Sequence, residues 1–289
     1  MDLRTVDHPI PLERGHAARP GWTTVTTRRP RGVTWHWTAT WDLDHCTRLL
    51  GGAEPERKGI ASAHVAVGRR FEEGVHRYVS FDDRSWHAGK AQTLRWDGKP
   101  FTDPRYKASR TTLGIETVNI GYARDGVEPE ADWIVADTPD GLVRRRIQPW
   151  GEEQVAMMVE VGRRIVARWP RLGPRDHHGH YDLCPGYKED PIGFPFARVL
   201  RGIYDDPSIP DVWSAGWRVE GRQRLLDRVG AEPGPIDGVW GPRSDAALRR
   251  FQDHAGLAVN GMWSTFVGWR LDDELRGQGG VEVVGQGAA

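Results

Sequence analysis

The chain has 289 residues, in which 40 Lys and Arg balance 40 Asp and Glu, so no global charge points to nucleic acid or to an anionic membrane surface. Its hydrophobic content is 38%, its mean hydropathy is negative, and no apolar run is long enough to span a bilayer, which predicts a globular protein of one large and one small domain or two medium ones. Cys46 and Cys184 are too few for a disulfide scaffold, so reduced thiols are expected.

The first 30 residues are rich in Pro, Arg and Thr, show no period, and are read as an extended lead-in. They hold neither an apolar core segment nor a small-residue cleavage site, so the protein is expected to be made in the cytoplasm without a signal peptide. Gly32 to Thr38 (GVTWHWT) is β-branched and aromatic, which predicts a buried strand ending near His36. Asp42 can cap a helix that runs to about Leu50 and stops at Gly51 and Gly52. Ala63 to Val67 and Val75 to Phe81 predict two more strands. Residues 88–110 are polar and irregular, and Thr112 to Ile120 returns to strand composition around Glu116. Residues 122–148 read as an insertion with turns at Asp125-Gly126 and Asp140-Gly141, and Arg144 to Arg146 as a solvated basic face.

Glu152 and Glu153 after Pro149 mark a helix start, because the helix dipole favours anions there. Val155, Met158, Val159, Gly162, Val166 and Trp169 fall on one face at helical spacing and predict the side that packs on the sheet. Phe194 and Phe196 are expected to seal this domain near Ile203. Residues 204–216, with two prolines and no period, are the predicted linker region. Three short helices follow, marked by Val219, Leu225, Leu226 and Val229, then by Ala246, Ala247, Leu248 and Phe251, then by Trp263, Phe266, Val267 and Leu271. The glycine-rich tail after Arg276 is expected to be disordered. Fourteen tryptophans are many for this length, and packing is the expected role of most.

The stretch with the densest chemistry is His180 to Asp190, HYDLCPGYKED, which sets an imidazole, a lysine and a carboxylate at H-x7-K-x-D spacing. Pro185 and Gly186 exclude a regular helix, so a loop can aim the three side chains at one point. Histidine nitrogen and carboxylate oxygen are zinc ligands, and a lysine beside a metal suits developing negative charge. From these residues alone a catalytic metal site and a polar surface loop are equally good readings. His177 and His178 offer competing imidazoles, and Cys184 offers a soft sulfur.

Five stretches in order resemble the zinc-dependent N-acetylmuramoyl-L-alanine amidases of type 2, which share a fold with peptidoglycan recognition proteins. They are WHWTAT around His36, SAHVAVGRR from Ser62, WHAG from Trp86, LGIETVN from Leu113 and GHYDLCPGYKEDP from Gly179. One such block is weak evidence; five in order are strong. The resemblance implies an α/β fold, a mixed β-sheet flanked by helices, with zinc held by His36, His180 and Asp190 and a fourth position open to water. It also implies Glu116 as general base, Lys188 as oxyanion stabiliser, and His64 and His87 as substrate contacts or supports for the ligands. Only His180 keeps the family offsets to Lys188 and Asp190, and Cys184, where the family has a small residue, is read as packing. Ala63 stands where some phage amidases carry a catalytic tyrosine, which shifts weight onto Glu116.

The C-terminal helices resemble the type 1 peptidoglycan-binding domain through VEGRQRLL, PIDGVWGPRSDAALRRFQ and GLAVNG, while GMWSTFVGW departs from its usual close. A groove at Trp240 or Arg243 is one expectation. The domain reading is a catalytic domain at 1–205, a linker at 206–216, a small three-helix domain at 217–275 and a tail at 276–289. The functional reading is a phage or prophage endolysin that cleaves the bond between N-acetylmuramic acid and L-alanine after release across a permeabilised membrane. Expected partners are the glycan strand and stem peptide of peptidoglycan, with no nucleic acid, no membrane insertion and a monomeric state. The rivals are a cytoplasmic amidase recycling soluble muropeptides and a non-catalytic peptidoglycan receptor. A chain ended near Ile209 is expected to keep cleavage of soluble fragments and lose wall binding.

Overall fold

The computed structural model describes residues 5–7, 29–50, 61–89 and 91–277. The stop at Gly51 and Gly52, most of the lead-in and residues 278–289 of the tail lie outside them. Among the described residues are eight strands: β1 (Thr5–Asp7), β2 (Gly32–Trp37), β3 (Val65–Val67), β4 (Val75–Arg77), β5 (Thr112–Thr117), β6 (Ile134–Asp137), β7 (Arg144–Ile147) and β8 (His177–Gly179). Six form one sheet in the order β1-β4-β3-β5-β2-β8, in which every pair is parallel except β3 and β4.

Because side chains alternate across a strand, the two faces of this sheet do different work. Val33 and Trp35 of β2 and Leu113 and Ile115 of β5 are fully buried in the main apolar core. The residues between them, Thr34 and His36 on β2 and Thr112, Gly114 and Glu116 on β5, turn to the other face. The register sets Thr34 beside Gly114 and His178, and His36 beside Glu116.

The helices are α1 (Leu43–Leu50), α2 (Ala108–Thr111), α3 (Glu152–Arg168), α4 (His180–Leu183), α5 (Phe196–Tyr204), α6 (Val212–Gly216), α7 (Val219–Arg228), α8 (Pro242–His254) and α9 (Thr265–Gly277). Asp42 caps α1 as expected, its Oδ1 accepting the His45 N–H at 2.6 Å. α3 starts and stops where its signals place it, but its buried stripe is Val155, Met157, Met158, Val161, Gly162 and Ile165, together with Gln154. Val159 and Val166 are only partly buried. The stripe is rotated because α5 also packs on this helix, with Ile203 seated against Gly162 and Val159 against Gly202. Phe194, Phe196 and Ile203 are buried together in that core.

Two segments are more structured than their sequence reading. Arg144 to Arg146 lie on β7 of the β6–β7 hairpin, where Arg144 and Arg146 are exposed as expected of a solvated face, Arg144 pairs with Asp137, and the partly buried Arg145 pairs with Glu189. The stretch 206–216 contains α6, whose Val212 and Trp213 are buried in the main core, and Trp213 packs on Trp269 of α9. Glycines permit that approach: a Cβ on Gly268 would lie 2.7 Å from Trp213, and one on Gly216 would lie 2.1 Å from Trp263. α7, α8 and α9 close around Leu225, Leu226, Leu248, Phe251, Trp263 and Val267. Among the described residues no helix is long and apolar enough to cross a membrane.

Candidate active site

The loop from His180 to Asp190 is closed by its own backbone. The Tyr181 N–H donates to the Asp190 carbonyl at 2.9 Å, and the Lys188 N–H donates to the Cys184 carbonyl at 3.0 Å. The first of these bonds brings the two ends of the loop together. His180 Nδ1 lies 3.0 Å from Asp190 Oδ2, and His36 Nδ1, arriving from the end of β2, lies 3.2 Å from the same oxygen. One ligand atom from each of these three buried residues falls within 4.8 Å of the others. The sequence spacing of 154 positions between His36 and Asp190 therefore closes into one cluster.

Hydrogen bonding behind His36 can hold it in the tautomer a metal ligand needs. With the Thr112 Oγ1 proton given to the Ala108 carbonyl, that oxygen accepts from His87 Nε2 at 3.2 Å. His87 Nδ1 is then the acceptor for His36 Nε2–H at 3.1 Å. That leaves His36 Nδ1 with a bare lone pair directed at Asp190. The chain continues from Thr112 to Thr34 Oγ1 and on to His178 Nε2, each at 2.9 Å. Two imidazole nitrogens and a carboxylate oxygen, one imidazole held in the acceptor tautomer by a partner behind it, are a donor set that fits a zinc ion.

The electrostatics of the metal-free site split the two histidines, so that His36 is ready to bind a metal while His180 would release a proton on taking one up. Burial, helped by the neighbouring His180 charge, pulls the His36 pKa down to about 4, so the ring is neutral. Burial also opposes charge on His180, but the Asp190 carboxylate outweighs it and lifts that pKa to about 10. Asp190 in turn is held well below the usual carboxylate range: burial raises it, and the two histidines overcome this. Opposite His36 on β5, Glu116 has a buried Oε2 without a hydrogen-bond partner, and burial plus the Asp190 charge push its pKa up to about 8. Lys188 is half-buried, and its charge is felt at both His36 and Glu116.

Residues 26–193 match the family of N-acetylmuramoyl-L-alanine amidases, and residues 218–266 match a peptidoglycan-binding domain family. The chain belongs to the N-acetylmuramoyl-L-alanine amidase family. No curated protein matches the amidase. Among solved structures it is similar to the amidase AmiD of E. coli in complex with anhydro-N-acetylmuramic acid-L-Ala-D-γ-Glu-L-Lys. The identity is 18%, the match covers 90% of this chain and 97% of that one, and the TM-score is 0.49. It is also similar to AmpDH3 of Pseudomonas aeruginosa, at 20% identity over 89% of this chain and 96% of that one, with a TM-score of 0.49.

The competing side chains of the amidase are accounted for by their partners. His177 accepts from Trp35 Nε1 and is hydrogen-bonded through Nε2 to Tyr204, and burial lowers its pKa to about 3. His178 is likewise held neutral by burial and is turned toward Thr34. Cys184 is fully buried among Ala88, Ala108, Leu183 and Phe266, as expected of a packing residue. His64 is expected as a substrate contact or a support for the ligands. It is fully buried, its Nδ1 accepts from the Gly114 N–H at 2.9 Å, and its Nε2 faces the Asp83 carbonyl at 3.2 Å, so it braces the wall of the site. His87, 6% exposed, lies behind His36 with its Nδ1 3.1 Å from His36 Nε2. Sequence reasoning passed over Thr112, Thr34 and Gly114. Gly114 is required there because a Cβ would lie 2.3 Å from the His87 ring, and its place in LGIE beside a strand histidine was the available signal.

Proposed function

We propose that this chain is a zinc-dependent, cell-wall-lytic amidase that hydrolyses the amide between the lactyl group of N-acetylmuramic acid and the L-alanine of the stem peptide. The observation that carries the zinc assignment is the convergence of His36 Nδ1 and His180 Nδ1 on Asp190 Oδ2, with the His36 lone pair freed by the chain through His87 and Thr112. Zinc held by these three residues would supply Lewis acidity to the attacking water and to the scissile carbonyl. Glu116 takes the proton from that water and passes it to the leaving amine; its carboxyl, pushed up to about 8 in the metal-free site, must be ionised to do so, and a zinc charge beside it would draw that pKa down. Lys188 offers its ammonium to the developing oxyanion. His87 keeps His36 in its ligand form.

The match of residues 218–266 to a peptidoglycan-binding domain supports an endolysin-like role on insoluble wall. A soluble muropeptide needs no such module, whereas an insoluble substrate rewards it by raising the local concentration of the enzyme. The test is direct. Purified protein should contain about one zinc per chain, and Asp190→Ala should lose that metal together with the release of free L-alanine amino termini from purified peptidoglycan. Wild-type levels of both in the variant would remove the assignment. Product masses should show intact glycan strands and freed stem peptides.

A further inference from the structure

The turn that presents His180 is anchored from outside the amidase module. Asp182, two residues after His180 and 1% exposed, accepts the Gly179 N–H on Oδ2 at 2.6 Å, which closes the start of α4. Its other two bonds come from one distant residue: Thr265 N–H donates to Oδ1 and Thr265 Oγ1–H to Oδ2, both at 2.8 Å. Thr265 is the first residue of α9, whose Val267, Leu271 and Leu275 sit in the core of the C-terminal helices. The next residue, Phe266, faces the other way. Its ring lies 6.0 Å from that of His178, and it fills the space over Gly98, where a Cβ would come within 2.8 Å. One turn of α9 thus touches the strand leading into His180 and the carboxylate that fixes the turn bearing it.

We infer that Thr265 of the peptidoglycan-binding module is a positioning residue for the metal-binding turn, acting through Asp182 on His180. The inference rests on the zinc reading of the site. A turn held by a buried, fully bonded carboxyl keeps its ligand in place without reorganising on metal uptake; partners bonded directly to a ligand typically carry 10- to 100-fold in metal affinity, and a support one step behind is expected at the low end of that range. Thr265→Val keeps the shape and the backbone donor but removes the hydroxyl donor, leaving part of a buried carboxylate without its bond. Thr265→Ser keeps the donor.

The experiment uses the full chain. Zinc affinity is measured by competition with a chromophoric chelator, the geometry of the metal site by the visible spectrum of cobalt-loaded protein, and integrity by melting temperature and sedimentation with insoluble wall. Thr265→Val should bind zinc about 10-fold more weakly and shift the cobalt bands, while Thr265→Ser stays within about 2-fold of wild type and both still sediment with wall. Should the valine variant fail to fold, Thr265→Ala, which sets no methyl beside the carboxylate, is read in the same way. A folded variant lacking the hydroxyl, with wild-type zinc affinity and an unchanged cobalt spectrum, overturns the inference. Wild-type protein that takes up no zinc overturns the metal reading itself, and this inference with it.

Discussion

Glu116 has the highest carboxyl pKa among the groups facing His36, and its consequence for stability has a definite sign. An unfolded glutamate loses its proton near pH 4.5, whereas the folded, metal-free chain keeps it to about pH 8. Between those values the folded state holds a proton that the unfolded state has lost, so the contribution of Glu116 to stability falls as pH rises through that window. Glu116→Gln cannot ionise. In chelator-treated protein its melting temperature should therefore match wild type near pH 4 and exceed it by about 3 °C or more at pH 8. A difference that does not grow with pH would sink the buried-carboxyl reading. With zinc supplied, the same variant should keep its metal and lose about 10²- to 10⁴-fold in cleavage rate. The site was legible in sequence to the extent that ligand spacing carries it: His180, Lys188 and Asp190 sit on one loop, and His36 ends a recognisable strand. What was not legible is the direction each remaining imidazole faces. His64, His87 and His178 all lie in strand or loop contexts of similar composition, and only the register of β2, β5 and β8 decides which one backs His36, which is locked by Gly114 and which turns to Thr34.

Among elements, α7 and the β6–β7 hairpin are joined by a single buried cation. Arg222 is fully buried and donates from Nε to the Gly216 carbonyl, from Nη1 to those of Thr138 and Pro139, and from Nη2 to that of Asp137. The Asp137 carboxylate completes the joint by accepting from the Val219 N–H and from Arg144. Burial lowers the Arg222 pKa to about 10, which leaves it charged at neutral pH. Arg222→Met removes every one of these donors and strands buried carbonyls, at about 1–3 kcal/mol for each group left unpaired. Melting of the full chain should fall by about 6 °C or more, and Arg222→Lys should not restore it, because an ammonium cannot reproduce the planar fork. Recovery by lysine would mean that charge alone matters there. The strands and long helices were readable because their apolar residues repeat at periods of two and 3.6. The hairpin was not: β7 reads Arg-Arg-Arg-Ile, and Arg145 is held by Glu189, far away in sequence. Nor was α6, a single short turn after two prolines whose burial comes from residues distant in the chain, Phe196 and Trp269.

At the scale of the whole molecule, the two modules do not behave as an enzyme on a flexible tether. Val212, Trp213, Trp217 and Trp269 share the main core with β2 and α5, Arg175 pairs with Asp273, and the Trp263 N–H donates to the Pro139 carbonyl at 2.8 Å. A chain ended at Ile209 would lose all of these and would leave Phe196 and His178 without the aromatic rings that cover them. Each large aromatic removed from a packed core is worth about 3–5 kcal/mol, and several removed together approach the whole stability of an ordinary domain. This packing argues for a different outcome from the expectation that a chain ended near Ile209 keeps cleavage of soluble fragments. The shortened chain should melt at least about 10 °C lower than the full chain, or fail to accumulate in soluble form. Any folded fraction should bind zinc more weakly, because Asp182 has lost Thr265. Equal melting temperatures and equal turnover of a soluble muropeptide by the full and shortened chains would show instead that the interface contributes nothing to the amidase fold. In that case the C-terminal helices would act on the wall alone.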